Sequence, residues 1–165
     1  MTLAARQLSA VAFKPFGELV AADGHAATLV NEGRGQRYNT GMRLAHTTRA
    51  NGPTLAIYRM QPSSPPISVN IFERHPNSAQ LFLPMNAARY LIVVAPRSPS
   101  GGPDDSAACA FIGCADQGVI YAPGVWHAPL VALDAVSTFA MMMFENGDAD
   151  DCIISQLNSP FAISL

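Results

Sequence analysis

The stretch Glu73-Arg74-His75-Pro76-Asn77-Ser78-Ala79-Gln80, answered downstream by Gly124-Val125-Trp126-His127, decides how this chain is read. Just before it, Ile67, Val69 and Ile71 alternate with Ser68 and Asn70, the period of a half-buried strand. Carried forward, that period turns Glu73 and His75 toward the apolar face, because alternate side chains of a strand share a face. Arg74 falls on the opposite face. A carboxylate on an apolar face needs a partner, since burial without one is costly or drives its pKa upward. His75, Gln80 and His127 can supply it. The bland alternatives are a satisfied polar cluster under a loop, or a Glu73–Arg74 pair at the surface. Four polar groups gathered in a core carry high energetic stakes, and such clusters are usually functional.

Around this segment the chain reads as strands and turns. Thr54 to Met60, Leu81-Phe82-Leu83, Tyr90 to Val94, Ala110 to Ile112, Val119 to Tyr121 and Ser137 to Phe144 have strand composition. Ser9 before Ala10-Val11-Ala12-Phe13 reads as the N-cap of a short helix stopped by Pro15 and Gly17. Pro62 to Pro66, Pro96 to Asp105 and Asn146-Gly147-Asp148 are turn chemistry, the second of them a hairpin loop rather than a linker. Many short strands with regular breaks predict an all-β barrel or sandwich. Met141-Met142-Met143 reads as core filler, and Trp126 as packing on a wall. His25 and His46 lie in loop-like sequence and are expected in solvent.

The 165 residues favour a single domain, 1–165. Hydrophobic residues make up 49% and charged residues 13%, which excludes a disordered chain. The net charge is −2 and the ten basic residues are scattered, so no basic stripe offers contacts to nucleic acid. No apolar run is long enough for a signal peptide or a membrane span, and a cytoplasmic location is expected. Cys109, Cys114 and Cys152 form no CxxC pair, and their odd number argues against a disulfide framework or zinc knuckle. Small buried strand residues are the expectation for them.

The two polar blocks also have the layout of a cupin barrel, in which two ligands two apart, a third soon after and a distant His converge. Here Glu73 stands for the usual first His and Gln80 for the usual Glu. At these positions the chain resembles the ureidoglycolate lyase family. The match runs through Glu73-Arg74-His75-Pro76, Gln80, Phe82 and Pro84-Met85, then Gln117-Gly118-Val119, Tyr121, Trp126-His127 and Pro129. Further echoes are Phe13, Phe16-Gly17, Asn31, Gly33, Arg37-Tyr38, Arg59 and Pro62. Ala128 stands where relatives carry a second His.

The resemblance implies a cupin-like β-barrel with a short N-terminal helix that cleaves (S)-ureidoglycolate to glyoxylate and urea, in allantoin and purine catabolism. That substrate is a carbinolamide, so cleavage needs a base for the hydroxyl proton and an acid for the departing nitrogen. Glu73 or His75 is the candidate base and His127 the acid, with Gln80 bonded to the ureido group. Arg37 and Arg59 are candidates for the substrate carboxylate, and the family match adds Asn31 and Tyr121 to the binding residues. Glu73, His75 and His127 are also an acceptable ligand set for a divalent first-row metal, with Gln80 a poor fourth ligand. A labile ion such as nickel or manganese is the expectation, with no organic cofactor. The same side chains could act directly as acid and base, and both readings stand at this point. Other functions for the same constellation are a cupin isomerase or epimerase of a small sugar, hydroxy acid or keto acid, and a non-catalytic barrel binding a small carboxylate. A homodimer is expected, on the argument that strands such as Tyr90–Val94 and Ser137–Phe144 would need their edges covered.

Overall fold

The computed structural model describes residues 2–165, leaving aside the side chain of Asn158. In chain order the elements are β1 (Thr2–Gln7), α1 (Ala10–Phe13), β2 (Gly17–Val20), β3 (Ala27–Val30), β4 (Gly35–Tyr38), β5 (Gly52–Met60), β6 (Ile67–Arg74), β7 (Gln80–Asn86) and β8 (Tyr90–Ala95). They continue with β9 (Cys109–Gly113), β10 (Gly118–Tyr121), β11 (Trp126–His127), β12 (Val131–Ala132), β13 (Ser137–Glu145) and β14 (Ile153–Ser164). The helix is as short as its punctuation predicts, and the Ser9 hydroxyl accepts the N–H of Ala12 as its cap.

Strands β11, β6, β14, β1, β9 and β8 pair in that order, and β11 pairs with β8 as well, so the sheet closes on itself as a cupin-like barrel. Two of its seams are parallel, β1 with β14 and β1 with β9. A second sheet, β2-β10-β7-β13-β5, lies across it. β8 explains the division of the core. Leu91, Val93 and Ala95 enter one cluster with Val69, Trp126 and Phe161 from the other barrel strands. Ile92 and Val94 enter another with Phe82, Tyr121, Phe139 and Met143 of the second sheet. A strand buried on both faces has no polar side to show, hence the unbroken apolar run. Helix α1 plugs the second cluster with Phe13, whose ring meets Phe111 edge-on and tilts against Tyr121.

Two expectations are corrected here. The alternation of β6 does not run unbroken into Glu73: Ile67 and Val69 share the barrel cluster with Phe72, a residue of the other parity. The pairing with β14 slips between Val69 and Ile71, opposite Phe161 and Gln156, and this shift re-aims the strand. Glu73 therefore faces the layer between barrel and second sheet, while Phe72 and Arg74 face the barrel side. The edge-strand argument for a dimer also fails. β8 sits inside the closed barrel, and β13 lies between β7 and β5.

What the second sheet leaves uncovered is its outer face, where Leu55 and Ile57 of β5 and Leu83 and Met85 of β7 are exposed. Of the three methionines in β13, Met141 and Met143 are buried and Met142 turns outward opposite Leu55. The hairpin β3–β4 forms a sheet of its own. Among the described residues no helix is long and apolar enough to cross a membrane.

Candidate active site

β11 is only two residues long, yet it bridges β6 and β8: His127 stands opposite Glu73 on one side and Val94 on the other. Directly opposed residues of an antiparallel pair present their side chains together. Glu73 Oε1 consequently lies 3.5 Å from His127 Nε2, an ion-pair distance longer than a well-made hydrogen bond. His75 follows the end of β6, and its ring centre is 5.3 Å from that of His127. Gln80 opens β7 opposite Tyr121 of β10. The Tyr121 ring stacks flat on His127, centres 4.2 Å apart at 9°. The structure thus brings Glu73, His75, Gln80, Tyr121 and His127 to one place, between the barrel and the second sheet.

The backbone orients both imidazoles. His75 Nδ1 is 2.7 Å from the carbonyl of Asp151, and His127 Nδ1 is 3.0 Å from that of Val125. A carbonyl can only accept, so both Nδ1 atoms carry protons and both Nε2 atoms are turned inward. Gln80 donates its amide N–H to Met143 Sδ at 3.7 Å, which leaves its carbonyl oxygen free. The two Nε2 atoms, Gln80 Oε1 and the Tyr121 hydroxyl are buried without hydrogen-bond partners. Buried polar atoms are normally paired. A group of unpaired ones around a carboxylate is set for a ligand that is polar on several sides.

The electrostatics agree. The polar contact from His127 holds Glu73 below the usual carboxylate range, against the effect of burial, with the charges of His127 and His75 and a contact from Cys152 assisting. Burial lowers the pKa of His75, as does the charge of His127, while the Asp151 carbonyl and Glu73 oppose the shift. Burial, together with Glu73 and Glu145, raises Tyr58. Burial raises Tyr121 well above its ordinary value. The working state is an ionised Glu73, a neutral His75 and protonated tyrosine hydroxyls. For a metal, one ligand atom each from Glu73, His75 and His127 lies within 4.8 Å of the others. Two inward Nε2 atoms whose other nitrogens are anchored, plus a carboxylate, fit a divalent ion.

The remaining sequence candidates sit elsewhere. Arg59 is exposed on β5. Its neighbour Tyr58, though 40% exposed, meets Phe82 edge-on at the inner face, so alternation sends Arg59 to the outer face. Arg37 is exposed on β4, paired with Thr28 of the hairpin. Asn31 lies at the hairpin turn with φ 53°, and its carbonyl accepts from Arg34. Neither arginine is among the groups that shift Glu73. Sequence reasoning missed Tyr58, Asp151 and Cys152. Cys152 is exposed, with Sγ 3.9 Å from Glu73 Oε2, rather than being buried strand filler. Tyr58 was legible in principle, because Ala56, Tyr58 and Met60 are the inward set of β5. His46 is exposed, as expected, and stacks on Phe144 with ring centres 3.9 Å apart.

The family model described as ureidoglycolate lyase matches residues 1–164. A ureidoglycolate lyase of Burkholderia cepacia is 38% identical over 141 residues, covering 85% of this chain and 78% of that one. One of Brucella melitensis is 34% identical over 141 residues, covering 86% and 82%. Among solved structures, the RmlC epimerase of Mycobacterium tuberculosis superposes with a TM-score of 0.50 at 15% identity, over 90% of this chain and 70% of that one. That likeness is one of fold.

Proposed function

The chain belongs to the ureidoglycolate lyase family, and from that premise we propose that it cleaves (S)-ureidoglycolate to glyoxylate and urea in the breakdown of allantoin and purines. In this reaction the hydroxyl proton leaves as the carbonyl forms, the carbon–nitrogen bond breaks, and the urea nitrogen takes up a proton. The observation that carries the reading is the set of unpartnered buried atoms, His75 Nε2, His127 Nε2, Gln80 Oε1 and the Tyr121 hydroxyl, gathered about the ionised Glu73. A carbinolamide with a carboxylate on the same carbon offers donors and acceptors to satisfy them.

Glu73, His75 and His127 would hold a labile divalent ion such as nickel or manganese, which when bound polarises the substrate hydroxyl and carboxylate. Around it, Gln80 Oε1 accepts the ureido N–H, Tyr121 keeps the His127 ring in its plane, and Tyr58 donates its hydroxyl proton in a hydrogen bond to the substrate. Arg59 points out of the fold. The carboxylate-binding role then rests with Arg37, whose hairpin would have to close over a site. A second reading is favoured by the Glu73–His127 contact. In it His75 Nε2 takes the hydroxyl proton, and His127, charged and stabilised by Glu73, protonates the nitrogen.

The apolar outer face of β5, β13 and β7 supports a homodimer in which two copies cover it.

Supplied with racemic ureidoglycolate, the protein is expected to release glyoxylate and urea in equal amounts and to leave one enantiomer untouched. Ammonia and carbon dioxide in place of urea would make it an amidohydrolase. Isomerised substrate, or binding with no turnover, would identify the epimerase or sensor alternatives.

A further inference from the structure

Beyond the end of β6 a cavity of about 600 Å³, lined by none of Glu73, His75 and His127, opens between Arg74 and Arg97. Its walls are Phe16, Val125 and prolines 15, 76, 96 and 123, and no acidic residue lines it. Arg74 lays its guanidinium 5.0 Å above the centre of the Trp126 ring. Its Nε is buried and unpartnered, apart from the active-site atoms the only such side-chain nitrogen or oxygen among the described residues. Neither Arg74 nor Arg97 makes an ion pair among the described residues, in a protein whose net charge is −2. Room for Arg97 comes from Gly101, where a Cβ would stand 3.2 Å from Nη2.

We propose that this cavity is an anion site, distinct from the triad, that takes a small organic carboxylate with an apolar body. Two guanidinium groups without acids offer the forked N–H pairs that a carboxylate accepts. Stacking on Trp126 fixes the plane of the Arg74 fork. Rigid proline and phenylalanine walls favour an apolar body over a bare inorganic anion. Arg74 is the neighbour of Glu73 and Trp126 that of His127, but each pair points to opposite sides of its strand, so the two sites share a wall and no ligand. The site does not depend on which reaction the triad performs.

Calorimetric titration of the purified protein with benzoate, alongside inorganic phosphate, tests this. Benzoate is expected to bind one equivalent with a dissociation constant of about 1 mM or tighter. Arg74→Met and Arg97→Met should each weaken it about tenfold or more, and Glu73→Gln should leave it unchanged. In the wild type the Arg74 Nε–H resonance should move on titration. Binding that survives both arginine substitutions overturns the proposal, and so does binding abolished by Glu73→Gln, which would place benzoate at the triad. Phosphate binding as tightly as benzoate overturns the organic ligand class. If Arg74→Met fails to fold, the solvent-side Arg97→Met decides.

Discussion

His75 donates its Nδ1 proton across 2.7 Å to the backbone carbonyl of Asp151, a residue that also closes the turn carrying that carbonyl. Asp151 Oδ2 accepts the backbone N–H groups of Asn146 at 3.0 Å, Gly147 at 2.6 Å and Asp148 at 3.0 Å. The carboxylate thus sets the loop, and the loop sets the tautomer and aim of the imidazole. Asp151→Ala is expected to cost about 1–3 kcal/mol, since three charge-assisted bonds are lost at a nearly buried site. It should also weaken metal binding roughly 10- to 100-fold through His75. A thermal melt and a metal titration read the two effects separately. A lowered melting point with unchanged metal affinity would show that His75 is aimed by something else.

Activity should follow the geometry of the three central side chains. Glu73→Gln and His127→Ala are each expected to lower kcat by about 10²-fold or more, the scale of a lost acid, base or metal ligand. Arg59→Ala should leave kcat and KM near the wild-type values, because its side chain leaves the outer face of β5. Glyoxylate release under saturating substrate measures both. A dead Arg59→Ala with an active His127→Ala would invert the assignment of faces.

Stability should fall on the acid side. Glu73 has a folded pKa below its unfolded one, so its contribution is complete above the unfolded carboxylate range and is lost as pH falls through the folded value. His75 is also lowered, so the fold favours its neutral form. That contribution is complete above the ordinary imidazole range and declines as protons bind the unfolded chain first. The two losses add in one direction. Denaturant midpoints should decrease from pH 7.5 downward, and more shallowly in His75→Gln. A midpoint that rises between pH 7 and pH 5 would contradict both shifts.

Neither β8, inside the closed barrel, nor β13, between β7 and β5, is an edge, and the apolar outer face of the second sheet takes the place of that argument for a partner. Wild-type protein at micromolar concentration should scatter light as twice the chain mass of 17.5 kDa. Replacing Leu55 and Ile57 by Glu should give the single-chain mass with the circular dichroism spectrum intact. A wild-type mass near 17.5 kDa would reject the dimer.

Much of this arrangement is legible in the chain because its signals are local. The alternation before Glu73, the apolar run of β8 and the Ser9 cap each depend on neighbours within a few residues. β1 and β14 escape such reading because they gain their place through parallel and long-range pairing. β14 also carries Ser155 to Pro160 across the very slip that re-aims β6, so its apolar alternation is broken where it matters. The core of the site, Glu73 with His75, Gln80 and His127, follows from motif spacing. Tyr58 and Asp151 do not, because one needs the face of a strand and the other the closure of a turn. Arg59 is a candidate for its forked charge and its place in the family resemblance, neither of which tells the face of the strand; the inner-face contact of Tyr58 with Phe82 does.

The metal is the remaining test, and the ligand set fixes the expected outcome. Glu73 and the two Nε2 atoms offer three donors and one negative charge. Gln80, where a carboxylate would add a second charge, is neutral and already gives its N–H to Met143. Fewer charges mean weaker binding, and protonation of either imidazole competes with the ion. Purified protein should therefore carry less than one ion per chain. Dialysis against a chelator should lower activity, and nickel or manganese should restore it. One tightly held ion per chain after chelation would refute the argument from ligand charge. Full activity in metal-free protein would instead assign the proton transfers to His75 and His127 directly, with Glu73 holding the charge on His127.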